Sequence, residues 1–287
     1  MCGSDPKDQR LIGRRLDQRQ GLWPRRKLGI STSILRCRQC GLVYPNPMPL
    51  PESVAQHYDV EPGEYWQESY FRVDPDLLRD QIQTFVRLAG RRPCGRALDI
   101  GAGIGKAMIA LDRAGFETEG IEPSATFRRT AIERMGVPEN HLHLLSIEDA
   151  AFAEGSFDFI NFAAVLEHLV DPASMLAKIV TWLKPEGLMY VEVPSSAFLL
   201  SRLVHLFYRL TGADYVINTC PMHVPYHLYE FGLDSFTRHG KRAGYSVVFR
   251  EYFPCAAYMP RILIGPFNMV MSWTDTGMQL AVWLRKG

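Results

Sequence analysis

The stretch at residues 96–106, RALDIGAGIGK, limits the fold more tightly than any other part of the chain. A short apolar strand ends near an acid, Asp99, and Gly101, Gly103 and Gly105 follow at alternate positions. Glycines placed in this way let the backbone turn sharply and approach a bound group closely. From there the chain alternates. Strands are predicted at 96–100, 117–121, 141–145, 157–162, 187–193, 244–250 and 278–284, and helices at 104–114, 124–135, 171–183 and 233–243. Another helix is expected at 76–90, where Leu77, Leu78, Ile82, Phe85 and Leu88 recur near helical spacing and Gly90 supplies a stop. Short apolar strands alternating with amphipathic helices predict an α/β fold: a doubly wound, mostly parallel seven-stranded sheet covered on both faces. Ligands of such sheets sit beyond the carboxyl ends of the strands, so functional residues should follow strands.

The glycine spacing narrows the ligand. A dinucleotide fingerprint would place its third glycine at 106, and that position is Lys106. A pyrophosphate wants backbone N–H groups and a helix N-terminus. A cofactor bearing an amino group and a sulfonium is better served by a strand-end carboxylate such as Asp99. The second strand ends in GIEPS, placing Glu122 where an acid can accept both ribose hydroxyls, a feature shared with dinucleotide enzymes. Three more segments follow in order: LSIEDAAFAEGSFDFI, AAVLEHLVDP and LKPEGLMYVEVPS.

With the glycine loop, these segments resemble class I S-adenosylmethionine-dependent methyltransferases over residues 70–250 and part of the last strand. The resemblance implies the Rossmann-like seven-stranded fold and S-adenosylmethionine as cofactor. It implies a cofactor site at Asp99, Gly101, Ala102, Gly103, Gly105, Glu122 and Pro123, with Ile147 and Glu148 by the adenine and Leu166, Glu167 and His168 on the outer side. Blander readings stand beside these: a helix-turn cap for Asp99, a solvated strand end for Glu122, a structural role for His168.

The acceptor must be read from what is grafted onto that core. The clearest insert is 195–232, which the resemblance makes a lid over the acceptor; it holds AFLLSRLVHLFYRL and NTCPMHVPYHLYEF. The first of these is amphipathic, which suits lid packing or a lipid-linked substrate. His223 and His227 stand four apart, a spacing that suits a metal on a helix, but Pro221 and Pro225 argue against a regular helix and no nearby acid completes a set. Acceptor contact, general base and plain packing stay open for both, and with His168 they form the candidate catalytic set. DNA is not expected as substrate: NFAAV stands where amino-methylating DNA enzymes carry [DNS]-P-P-[YF]. The expected reaction is methyl transfer to O or C of a small molecule, sugar-linked, lipid-linked or a secondary metabolite.

Net charge is +1, yet residues 1–40 hold ten Lys/Arg against three acids. Such a basic arm can touch phosphate or an anionic membrane surface, which keeps an RNA methyltransferase as the alternative; a loose solvated arm is the blander reading. LRCRQCGLVYPNPMP resembles the second half of a zinc-ribbon-like knuckle, with Cys2 at the end of the first half, whose earlier cysteine would fall before residue 1. Cys2, Cys37 and Cys40 are thus three ligands for a zinc ion that wants four. The expected organisation is an irregular basic cysteine module at 1–50, a linker and helix at 51–95, and a cofactor-binding domain at 96–287. The polar first twenty residues and sparse cysteines point to the cytoplasm, and no apolar run is long enough to span a membrane. The apolar segment 252–276 is expected to wall the acceptor pocket or to make a homodimer contact.

Overall fold

The protein is described by a computed structural model covering residues 1–16, 31–49, 67–217, 219, 227–255 and 259–287. Seven strands build the main sheet: β4 (Arg96–Ile100), β5 (Glu117–Ile121), β6 (Leu142–His143), β7 (Phe157–Ala163), β8 (Leu183–Pro194), β9 (Tyr245–Phe253) and β10 (Gln279–Lys286). Their order is β6-β5-β4-β7-β8-β10-β9. The pairs β4–β5, β4–β7, β5–β6 and β7–β8 are parallel, and β10 runs antiparallel to both β8 and β9. The expected doubly wound, mostly parallel sheet is therefore present.

Strand periodicity explains why both faces are covered. Leu98, Ile160, Met189 and Val282 point to one face and pack with Leu176 and Ile179. Those two residues lie on helix α4 (Pro172–Trp182), which Asp171 caps by accepting the Ser174 N–H at 3.1 Å, with Pro172 in the first turn. The alternate residues Ala97, Phe159, Leu188 and Trp283 face the other way, onto Phe85 and Leu111. Phe85 lies on α1 (Arg79–Ala89) and Leu111 on α2 (Lys106–Ala114). Phe85 meets Phe116 edge-on at 5.1 Å, and Phe159 stacks on Trp283 at 5.7 Å. Two further helices complete the regular core, α3 (Ala125–Glu133) and α6 (Leu233–Ala243).

Several expectations change. The strand expected at 141–145 shortens to two residues, because β6 is the sheet edge and Leu144 and Leu145 turn out to solvent. The apolar segment 252–276 contains a helix, α7 (Arg261–Trp273), concealed in the sequence by Gly265 and by Pro266 inside it. The amphipathic stretch is likewise a helix, α5 (Leu199–Leu210).

The N-terminal segment also differs. Its described residues are regular: β1 (Gln9–Leu16), β2 (Ser31–Cys37) and β3 (Val43–Asn46) form an antiparallel sheet. This sheet is stitched to the insert after β8. Val43 and Glu230 exchange backbone hydrogen bonds at 2.9 and 3.0 Å, and Arg14 pairs with Tyr215. Arg15 is buried, donating to the Tyr215 hydroxyl and the Val216 carbonyl. Counting charges along the chain misses this, because a buried Arg15 and a buried Glu230 look in sequence like two more solvated charges.

Candidate functional site

The carboxyl ends of β4, β5 and β7 converge on the glycine loop. Asp99 is buried at the end of β4; its Oδ1 accepts the Asn161 side-chain amide at 2.7 Å, and its Oδ2 is buried without a hydrogen-bond partner among the described residues. Burial pushes the Asp99 carboxyl up to about 6, against the lowering effect of Asn161. Asn161 sits beside Asp99 because β7 pairs in register with β4. Asn161 opens the stretch NFAAV, but only strand register shows that it stands beside Asp99.

The loop itself needs its glycines. Gly101, Gly103 and Gly105 all have positive φ, at 70°, 56° and 77°. A side chain at Gly101 would collide with Val165 and one at Gly105 with Val137, whereas one at Gly103 would meet none of the described residues. Glu122 straps this loop: its carboxylate accepts the Gly103 N–H and the Ser124 N–H, each at 2.8 Å. It is therefore a buried group holding the loop, not a solvated strand end. Ala102 is buried beside Met108, and Pro123 is exposed. Ile147 is buried and Glu148 exposed; Lys178 holds both of their backbone carbonyls, at 3.2 and 2.8 Å. Tyr70, in a segment read only as linker, lies under the Lys106 ammonium at 4.1 Å, next to the start of α2.

A second cluster follows β7. Leu166 is fully buried, and the next two residues form an acid–imidazole pair with His168 Nε2 at 3.9 Å from Glu167 Oε1. The insert brings His227 against His168, ring centroids 5.0 Å apart. One donor atom each from Glu167, His168 and His227 lies within 4.8 Å of the others, a set able to relay a proton or hold a divalent cation. The expectation that no acid stands near His227 is thus corrected: the acid comes from a different part of the chain. The Leu228 N–H donates to the Glu167 carbonyl at 3.0 Å and fixes that approach. Burial raises the Glu167 carboxyl to about 8, with the Glu192 charge adding to it. His223 lies outside the described residues.

Cys2, Cys37 and Cys40 also converge, their sulfurs within 4.8 Å. Burial raises both Cys37 and Cys40; at Cys37, donors from Ser4 and from the Cys40 and Gln39 backbone outweigh it and bring the thiol to about 7, while Cys40 stays at about 12. The described residues add no fourth thiol or imidazole to this group, so they do not close a structural zinc site.

Comparison with known proteins places this geometry. The profile of the family described as "Methyltransferase domain" matches residues 70–249. The chain belongs to this methyltransferase domain family. Curated relatives include the "Ubiquinone biosynthesis O-methyltransferase" of Ralstonia nicotianae, 32% identical over 151 residues, 50% of this chain and 58% of that protein. The protein of the same name from Methylococcus capsulatus is 31% identical over 146 residues, 49% of this chain and 56% of that one. The chain thus spans less than two thirds of the length of these relatives. In fold, this methyltransferase domain is similar to an S-adenosylmethionine dependent methyltransferase of Mesorhizobium loti, with TM-score 0.50 and 15% identity over 74% of this chain and 98% of that one.

The family implies S-adenosylmethionine, and the site residues fit it. Among the described residues, a buried carboxylate oxygen on Asp99 without a partner suits a cationic amino group, and the space over Gly103 gives the ligand room against the backbone.

Proposed function

We propose that the chain is an S-adenosylmethionine-dependent methyltransferase acting on a hydroxyl of a small molecule. The observation that carries this reading is the buried Asp99–Asn161 pair beside the open glycine loop that Glu122 straps. S-adenosylmethionine, when bound, supplies an electrophilic methyl group on a sulfonium. Asp99 would hold the amino group, and Glu122 would offer its further lone pairs to the ribose. The backbone of Ile147 and Glu148, pinned by Lys178, would border the adenine. His168 and His227, with Glu167 behind them, take the proton from the acceptor hydroxyl and keep water from its place. His223, outside the described residues, is proposed as a further contact to the acceptor. The names of the curated relatives favour oxygen as the methylated atom.

The test is methyl transfer from labelled S-adenosylmethionine into a cell extract, with Asp99→Ala as control. Label in the small-molecule or lipid fraction that disappears with Asp99→Ala is expected. Label confined to RNA, or no label in any fraction, would overturn the reading.

A further inference from the structure

Two helices beside the site turn their apolar side chains outward. In α5 the exposed residues Leu203, Leu206, Phe207 and Leu210 recur at i, i+3, i+4 and i+7, a single stripe. Its inner side is Ser201, His205 and Tyr208, with His205 Nε2 accepting the Ile217 N–H at 2.9 Å. An ordinary surface helix buries its apolar stripe, and this one does the reverse. In α7, Ile262 and Trp273 are 83% and 85% exposed, and Met269 lies between them on the same side. The opposite side of α7, Ile264, Phe267 and Met271, packs on Phe198, Leu199 and Leu200, so the two helices meet at the first turn of α5. Adjoining apolar stripes of this extent mark an interaction surface.

Charge decides the partner. Neither helix contains an acid. Arg202 and Arg209 are exposed along one flank of the α5 stripe, and Arg261 opens α7. Arg10 and Arg36 of the N-terminal sheet lie in the same field, and together with burial Arg202 and Arg10 lower the Arg36 pKa. Two acids beside the helices are held by arginines: Asp214 by Arg14 at 3.6 Å and Asp275 by Arg250 at 2.6 Å. We infer that the α5–α7 surface docks on an anionic phospholipid bilayer, apolar stripes among the acyl chains and arginines among the phosphates. A second copy laid on the same surface would set these arginines against their own images. Among the described residues no helix is long and apolar enough to cross a membrane, so the helices lie on it. Because α5 follows β8 at the carboxyl edge of the sheet, docking turns the rim of the site toward the bilayer. The inference goes beyond the proposed reaction and does not depend on it.

The test is flotation of the full chain with vesicles of phosphatidylcholine alone and with vesicles that also contain phosphatidylglycerol. The wild type is expected to float with the anionic vesicles only. Leu206→Glu with Met269→Glu, and separately Arg202→Glu with Arg209→Glu, are each expected to lower the bound fraction about tenfold. These positions are solvent-exposed, and thermal unfolding checks that each variant folds; the arginine pair serves alone if the apolar pair does not. No flotation with anionic vesicles, equal flotation with neutral ones, or variants that float like the wild type would overturn the proposal. So would a dimer, seen by ultracentrifugation, that Leu206→Glu dissociates, since it would assign the surface to a second copy.

Discussion

Asp99 shows how much one buried oxygen governs. Its carboxyl is raised to about 6 by burial, and Asn161 holds only one of its two oxygens. A cationic amino group needs the ionised form. Affinity for S-adenosylmethionine should therefore be full above about pH 6 and fall as pH drops through that value. Asn161→Leu removes the one donor that lowers this carboxyl, so the fall should move to higher pH, and calorimetric titration across pH checks it. Asp99→Ala should cost about tenfold or more in affinity at pH 7.5, the worth of a charge-assisted hydrogen bond; unchanged binding would remove Asp99 from the site.

Glu230 carries a stability prediction. Burial pushes it up to about 8 from 4.5, although Arg36, the Thr219 backbone and Arg15 all pull it down. Between those values the folded state keeps a proton that the unfolded chain has released. Stability should then decline as pH rises from about 4.5 to 8. Glu230→Gln should flatten that decline and melt above the wild type at pH 9, as thermal scans at several pH values would register. Parallel curves for the two proteins would contradict the assignment.

Among the elements, the glycine loop separates two kinds of damage. Gly103 and Gly105 both hold a left-handed backbone, which costs a side chain about 1 kcal/mol. At Gly105 the added carbon would also strike Val137 at 2.4 Å, whereas at Gly103 none of the described residues lies within 4 Å. Gly105→Ala should therefore lower the melting temperature more, while Gly103→Ala should weaken cofactor binding with the smaller loss of stability. Melting curves measured beside calorimetric affinity decide this; the opposite ranking would place the ligand elsewhere. The elements were also unequally legible. Strand β4 matches its expected boundaries because Ala97, Leu98 and Ile100 are apolar and it ends at a glycine turn. Helix α7 was hidden because Gly265 and Pro266 break the usual signals, and its inner face is set by packing on α5.

At the scale of the whole molecule, the N-terminal sheet shares the main core: Cys37, Cys40 and Leu42 pack in the same cluster as Leu98, Phe231 and Phe236. Removing residues 1–49 should lower the melting temperature by several degrees and expose apolar surface to a dye. A truncated chain that melts like the full one would show that the sheet is an appendage. The sequence by itself determined the alternation of strands and helices, the glycine loop with Asp99 and Glu122, and hence the edge of the sheet where a ligand binds. Those features are local: they follow from periodicity and from the backbone freedom of a few residues within about twenty positions. Only the tertiary structure decided that Asn161 stands beside Asp99, that His227 reaches Glu167 and His168, and that Arg15 and Glu230 are buried. Each of those depends on strand register or on the path of the insert across the core. The outward stripes of α5 and α7 belong there too, because an amphipathic pattern states that a helix has two faces, and only its neighbours decide which face meets the solvent.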